Sequence, residues 1–320
     1  MIEKNAKIYV AGASGLVGSA IVRNLQKNGY TNVVAKSHGE LDLLDARAVE
    51  AFFETEKPEY VFDAAAKVGG IIANSTLPAD FIYQNLIIQN NIIYSCYKFG
   101  VKKMIFLGSS CMYMKDCLEP MKEDSVLTGP PEPTNKEYAV AKIAGLTMCQ
   151  AFNRQYGTKF ITVVPSNTYG PNDHYDLKTA HVLPALIRKF FEAKTQGSPE
   201  VVLWGTGTPL REFIHVDDLA DGCIFLLEHD LEFDVFNLGT QTEINIKDLA
   251  ELIKKISGYE GKLVLDPSKP DGTMRRVMDM SRLRSIGWKA QIGLEEGIKS
   301  AYDWYASHYD GVTGIARNDS

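Results

Sequence analysis

The sequence predicts an α/β fold: a doubly wound parallel sheet with a smaller, mainly C-terminal α/β lobe. Three observations carry that expectation. A short apolar run, Lys7-Ile-Tyr-Val-Ala11, ends in a glycine turn, Gly12-Ala-Ser-Gly15-Leu-Val-Gly18, which opens onto helical spacing. Strand-like and helix-like patterns then alternate, joined by short loops, as far as Pro165. Beyond it the loops lengthen and prolines recur at Pro171, Pro184, Pro199 and Pro209, the texture of a second lobe.

Taken in order, residues 16–28 carry the first helix, closed by Gly29, and Val33-Val-Ala35 reads as the second strand. A helix over 46–55 leads to a third strand, Tyr60-Val-Phe-Asp63. Asp80 is a candidate N-cap for a long helix that Gly100 terminates. Strands over 104–107 and 160–164 flank a helix from about 135 to 155. Such apolar runs are what strands buried on both faces look like. Further helices are expected near 183–194 and 246–257. Phe213-Ile-His-Val-Asp-Asp-Leu219, an apolar helix and Val235-Phe-Asn-Leu238 are read as a path back to the first sheet. The expected division is a first domain over 1–170, rejoined by about 213–238, and a second lobe over 171–310. Residues 311–320 lack a hydrophobic pattern and read as a flexible tail.

Composition narrows the class without naming it. Of 320 residues, 45% are apolar and 23% charged, ample for a buried core. With 34 Lys and Arg against 40 Asp and Glu, the net charge is −6. That balance argues against general nucleic-acid or membrane-surface binding and leaves room for a local basic pocket. No stretch reaches the ~18 apolar residues of a transmembrane helix. The chain runs from Met1 almost directly into a strand, so no signal peptide is expected. Cys96, Cys111, Cys117, Cys149 and Cys223 are odd in number and irregularly spaced, with no paired metal motif. A reduced, cytoplasmic chain without disulfides or metal is the expectation.

The glycine turn carries the first chemistry. Glycines there permit a tight turn, let backbone approach a pyrophosphate and let the helix pack against the strand. The helix N-terminus adds oriented N–H donors. The G-x-x-G-x-x-G spacing departs by one residue from the G-x-G-x-x-G fingerprint, and in isolation it is only a turn. At the first strand–helix junction it reads as a Rossmann-type dinucleotide site built from Gly12, Ser14, Gly15, Leu16, Val17 and Gly18. At the end of the second strand the chain reads Ala35-Lys36-Ser37-His38, with no acid before Glu40. Lys36 with Ser14, Ser37 or His38 suits a 2′-phosphate, which favours NADP(H). The plainer reading leaves Lys36 and His38 merely solvated.

Tyr138-Ala-Val-Ala-Lys142 is the second motif. At i and i+4 on a helix, phenol and ammonium share a face, and a nearby cation favours phenolate. Y-x-x-x-K alone marks many surface helices. Its company here is Gly108-Ser-Ser-Cys-Met-Tyr113, at a strand end facing the expected cofactor crevice. Ser109, Tyr138 and Lys142 then form a carbonyl-polarising set for hydride transfer.

These motifs together resemble the extended short-chain dehydrogenase/reductase superfamily, which acts on nucleotide sugars. Finer segments resemble one member family, the GDP-L-fucose synthases. They include Ala64-Ala-Ala-Lys-Val-Gly-Gly70, Leu107-Gly-Ser-Ser-Cys111, Glu132-Pro-Thr-Asn135 and His181-Val-Leu-Pro184. Trp204-Gly-Thr-Gly-Thr-Pro209, Arg211-Glu-Phe-Ile-His-Val-Asp-Asp218 and Lys269-Pro-Asp-Gly272 complete the set, so the likeness spans about Lys7 to Tyr305.

The resemblance implies epimerisation of a GDP-4-keto-6-deoxy sugar at C3 and C5, then reduction at C4 with NADPH. It implies that Cys111 and His181 perform the acid–base work, both being groups tunable toward neutrality. Ser109 and Tyr138 would face the enolate oxygen, and Lys142 the nicotinamide ribose. Ala65, Leu107, Pro165, Asn167 and His181 would line the cofactor. Lys189, Trp204, Arg211 and Asp271 would bind the GDP-sugar, with Asn167 near the sugar. A homodimer through the long helices at about 80–99 and 135–155 is a further family expectation.

Each residue also has a plainer reading. Cys111 alone is a small buried apolar residue, His181 a helix cap and Trp204 packing between lobes. His215 is expected to anchor the segment before Asp217 and Asp218, while Cys96, Cys149 and Cys223 belong to the core. Two positions depart from the family pattern: Met114 stands where proline is common, and Ala13-Ser14 where some members carry an arginine. The alternatives are another NAD(P)-dependent nucleotide-sugar 4-epimerase, reductase or 4,6-dehydratase, and a non-catalytic NADP-sensing protein.

Overall fold

The computed structural model describes residues 2–269, 271 and 273–310, so the expected tail at 311–320 lies outside the described residues. The first half runs β1 (Ile8–Ala11), α1 (Leu16–Lys27), β2 (Val33–Ala35), α2 (Ala46–Glu56) and β3 (Tyr60–Asp63). It continues α3 (Ile71–Thr76), α4 (Pro78–Lys98), β4 (Lys103–Leu107), α5 (Lys136–Tyr156) and β5 (Phe160–Pro165). The second half runs β6 (Asn167–Tyr169), α6 (Val182–Gln196), β7 (Glu200–Trp204), β8 (Leu210–His215) and α7 (Val216–Glu228). Then follow β9 (Val235–Leu238), β10 (Glu243–Asn245), α8 (Ile246–Ser257), β11 (Lys262–Asp266), α9 (Ser281–Ser285) and α10 (Leu294–His308).

The main sheet has six strands in the order β2-β1-β3-β4-β5-β9, every pair parallel. Strand order reverses at β1, so a crevice opens between the C-terminal ends of β1 and β3, the usual ligand position in such sheets. Alternation along the strands feeds two cores. Ile8, Val10, Ile105 and Leu107 enter one, while Tyr9, Ala11, Met104 and Phe106 enter the other. With both faces covered, the sheet needs helices on either side. Helix α5 comes so close to the sheet that a Cβ at Gly145 would run into the Phe106 ring.

A third apolar cluster, including Phe190, Ile253 and Tyr305, lies under α6, α8 and α10. It is served by a three-stranded sheet, β10-β8-β6, and a two-stranded pair, β11-β7. Two local expectations change. The long helix starts at Pro78 rather than being capped by Asp80, because proline at the first position lacks only an N–H that a helix start leaves unbonded. Asp80 instead sits in the first turn, where its charge suits the helix dipole. Strand β8 does not return to the main sheet; it pairs with β6 and β10, and the return is made by α7 and β9. No helix among the described residues is long and apolar enough to cross a membrane.

Candidate active site

The turn after β1 is one that only glycine can make. Gly12 has φ +74°, and a Cβ there would lie 2.8 Å from the Ala64 carbonyl oxygen. A Cβ at Gly18 would fall on the Gly12 carbonyl, so α1 starts hard against the turn. Gly15 donates to Gly12 O at 3.0 Å and caps α1 without a side chain, leaving Ser14, Leu16 and Val17 around an open helix N-terminus. This cradle fits a dinucleotide pyrophosphate. Ala65, just past β3, donates its N–H to Asp63 Oδ1 at 3.3 Å, beside the same turn.

One contact here has no sequence signal. Asn172, at φ +68°, donates from Nδ2 to the Ser14 carbonyl at 2.8 Å, so the loop after β6 clamps the glycine turn.

Beyond β2 the structure places a competitor among the expected phosphate ligands. Glu40 Oε2 accepts from Ser37 N and Ser37 Oγ, both at 2.8 Å, and Glu40 Oε1 pairs with Lys36 Nζ at 3.5 Å. The Ser37 donors hold the Glu40 carboxyl below its ordinary pKa, with Lys36 adding to the effect. His38 is exposed and lies 3.9 Å from Asp42.

Past β4 the four expected groups meet. Ser109 caps a short 3-10 turn, Ser110–Met112, its Oγ accepting from Cys111 N at 3.4 Å. The same hydroxyl faces both the Tyr138 phenol and the Cys111 thiol and lowers the pKa of each. Burial pushes the Cys111 thiol up to about 11, while Ser109, Lys142 and Arg276 pull against that rise. Lys142 is buried and donates to the Leu107 carbonyl at 2.7 Å; its ammonium is stabilised by Asp63 and then Cys111, against the burial that lowers its pKa. Asp63 is itself buried, its pKa raised to about 6 by desolvation with Lys142 opposing.

The expected acidification of the phenol by Lys142 is not what this geometry gives. Burial raises the Tyr138 pKa, Cys111 adds to the rise, and Ser109 is the group that lowers it. The physical reason is direction: the lysine is spent on the Leu107 carbonyl and the Asp63 side of the crevice. Phe81 closes the phenol edge-on at 6.3 Å between centroids.

His181 arrives from a different element. It is the N-cap residue of α6 by backbone position, but its side chain makes no capping bond. Asp176 braces the preceding loop through Lys178 N at 3.0 Å and Thr179 N at 3.1 Å. Gly70 N reaches Thr179 O at 2.9 Å, tying that loop to the segment before α3. The imidazole is open to solvent yet surrounded by protein, which lowers its pKa, with His174 adding to the effect. No described hydrogen bond joins it to the Ser109–Lys142 group. His215 instead caps α7 through Nδ1 from Asp217 N at 3.2 Å, in keeping with an anchoring role. Cys96, Cys149 and Cys223 are buried, as core residues should be.

The residues expected at the substrate fall into two sets. Trp204 is 56% exposed, which removes the interlobe-packing reading, and both Lys189 and Lys269 lie over its ring, at 5.4 and 5.6 Å. Lys189 also donates to Val202 O at 3.0 Å. Asp271 accepts from Thr206 N at 2.9 Å and Thr206 Oγ1 at 2.7 Å, fixing the loop beside the tryptophan. Asn167, two residues past Pro165 at the end of β5, donates to Glu212 O at 2.8 Å, one residue from Arg211 on β8. Arg211 is half-buried with Arg276 as a like-charged neighbour, both of which lower its pKa. Lys269 and Arg276 lie outside the set expected from sequence.

Residues 8–239 match the model of the NAD dependent epimerase/dehydratase family. The chain belongs to this family. GDP-L-fucose synthase 1 of Arabidopsis thaliana is 56% identical over 305 residues, 95% of this chain and 94% of that one. GDP-L-fucose synthase of Escherichia coli K12 is 47% identical, covering 96% of this chain and 99% of its own length. Among solved structures, a GDP-L-fucose synthetase from Naegleria fowleri bound to NADP superimposes with TM-score 0.90. It is 29% identical and covers 97% of this chain and 95% of that one. Family and geometry together make this an NAD(P)-dependent epimerase/reductase of the GDP-L-fucose synthase group.

Proposed function

We propose that this enzyme converts GDP-4-keto-6-deoxy-D-mannose to GDP-L-fucose with NADPH. The observation that carries the reading is the Ser109–Cys111–Tyr138–Lys142 group at the carboxyl end of β4, within full-length likeness to GDP-L-fucose synthases. A C4 ketone acidifies the protons on both C3 and C5, so one site serves both inversions. Cys111 Sγ takes the proton from carbon as thiolate, the electron pair moving into the ketone to give an enolate. Ser109 and Tyr138 hydroxyls hold that oxygen. His181 delivers a proton to the opposite face, after which Cys111 gives up the proton it took to solvent and His181 regains one, resetting the pair for the second carbon. When bound, NADPH supplies hydride to C4. Tyr138 gives the resulting alkoxide its proton, and Lys142 steadies the cofactor ribose.

The cradle of Gly12, Ser14, Gly15, Leu16, Val17 and Gly18 would hold the pyrophosphate, with Ala65, Leu107, Pro165 and Asn167 along the crevice. Lys36 and Ser37 would take the 2′-phosphate once released from Glu40. Arg211 and Lys189 suit the diphosphate, and Trp204 a flat guanine face, with Asp271 fixing the loop that presents it. Exposed Tyr83, Tyr94 and Val140 on α4 and α5 support a homodimer through these helices. Five free cysteines suit a reducing cytoplasm.

The test is incubation of purified protein with GDP-4-keto-6-deoxy-D-mannose and NADPH, following absorbance and product stereochemistry. GDP-L-fucose is the expected product. Failure to consume NADPH overturns the assignment. GDP-6-deoxy-D-talose or GDP-D-rhamnose as sole product would leave a reductase without epimerase activity.

A further inference from the structure

We propose that Arg276 is a positioning residue for Cys111, reaching from the segment between β11 and α9 to hold the turn that presents the thiol. Arg276 Nη1 donates to the Ser110 carbonyl at 3.1 Å, and Ser110 opens the 3-10 turn in which Cys111 follows. The same guanidinium contacts Met121 Sδ at 3.9 Å.

Arg276 is held in place rather than draped. Met274 O accepts from Leu210 N at 2.8 Å, and Val277 O accepts from Met121 N at 2.9 Å. Met278 N donates to Glu212 Oε2 at 2.9 Å, and Asp279 N to Met121 O at 2.8 Å. Its neighbour Arg275 goes elsewhere, forking onto Glu243 of β10 at 2.7 and 2.6 Å and lying 3.4 Å from Glu119. Adjacent arginines therefore fasten the substrate lobe with one side chain and the Cys111 turn with the other.

The charges facing Cys111 come from α5 and from the segment between β11 and α9. The Ser109 hydroxyl, Lys142 on α5 and Arg276 each favour its thiolate, and Tyr138 is its titratable neighbour. Lys142 is already committed to Leu107 O, whereas Arg276 is tied to the turn itself through Ser110 O. Arg276 in turn neighbours Arg211, with Glu119 facing both. Seating of the 273–279 segment thus sets how readily the thiol ionises. A simple strut would hold the turn without changing thiol acidity, and that difference can be measured.

The inference rests on Cys111 being the acid–base thiol, so the test has one readout that needs no substrate. In full-length enzyme, Arg276→Gln and Arg276→Lys are compared with wild type by the pH profile of iodoacetamide alkylation at Cys111. Peptide mass spectrometry separates this site from Cys117. Gln is expected to shift the profile upward by about one unit, roughly tenfold less thiolate at pH 8, whereas Lys keeps the wild-type profile. Deuterium exchange at C3 and C5 should then fall in kcat about tenfold for Gln, with KM little changed and activity rescued by Lys. A Gln profile superimposed on wild type overturns the proposal, as does a Lys profile displaced as far as Gln. Should Gln fail to fold, Arg276→Met takes its place and is judged by the same upward shift against wild type and Arg276→Lys. Absence of exchange in wild type would overturn the functional reading, while alkylation would still judge the role of Arg276.

Discussion

Lys142 Nζ donates to the Leu107 carbonyl oxygen at 2.7 Å, fixing a buried ammonium at the end of β4, where the turn carrying Ser109 and Cys111 begins. That bond aims the lysine, and Asp63 supplies the opposing charge. Lys142→Met removes both, leaving Asp63 buried without its cation. NADPH oxidation is expected to fall by about 10²-fold or more. Thermal denaturation should show a loss of about 3 kcal/mol where Asp63 remains ionised, because a buried charge then lacks its partner.

Asp63 also makes a pH prediction. Its folded pKa is raised to about 6 from 3.8, so between those values the folded carboxyl holds a proton that the unfolded one has lost. Stability from this group is full below pH ~4 and declines as pH rises through about 6. Asp63→Asn should remove that declining component, read as the difference between variant and wild-type unfolding curves from pH 4.5 to 7. Parallel curves would mean that the carboxyl does not titrate there.

Cys111 and Ser109 share a turn but have separable tasks. Cys111→Ser should cut solvent deuterium incorporation at C3 and C5 by about 10²-fold while hydride transfer to C4 partly survives. The survivors should carry the uninverted configurations, identified by NMR of the reduced sugar. Exchange persisting at the wild-type rate would remove the cysteine from the proton transfers.

Trp204 offers an exposed aromatic face between two lysines. Base stacking on such a ring is worth about 1–3 kcal/mol, so Trp204→Leu should weaken GDP binding by roughly fivefold to 150-fold in calorimetry. Lys269→Ala should weaken it less, and kcat should change little in either variant.

Glu40 occupies the Ser37 donors and pairs Lys36. A carboxylate there opposes a 2′-phosphate, so Glu40→Gln should raise the ratio of kcat/KM for NADPH over NADH severalfold. Lys36→Ala should lower it. A ratio unmoved by either change would place cofactor selection elsewhere.

The legible parts of this molecule were local in sequence. The glycine turn, the Y-x-x-x-K pair and the strand-end serines each sit within one turn of chain, where spacing dictates geometry. Tyr60-Val-Phe-Asp63 and the helix at Ile246–Ser257 could be read from periodicity alone. Arg276 could not, since its bond to Ser110 spans 166 residues, nor Asn172, which reaches Ser14 across 158. Spacing carries no trace of contacts that only tertiary folding creates. The sheet that receives β8 is hidden for a related reason: a short apolar run does not say which sheet it joins. The direction of Lys142 was equally hidden, because i,i+4 spacing sets the helix face and not the acceptor.

Strand β9 has a consequence for how the chain can be cut. It pairs with β5 from Thr162↔Val235 to Pro165↔Leu238, closing an edge that the first 170 residues leave bare. A gene fragment ending there would encode a sheet with an apolar border strand and unspent backbone donors, an invitation to self-association. The first 170 residues are therefore a poor module for transplantation or separate expression, since the last strand of their sheet is stored beyond them.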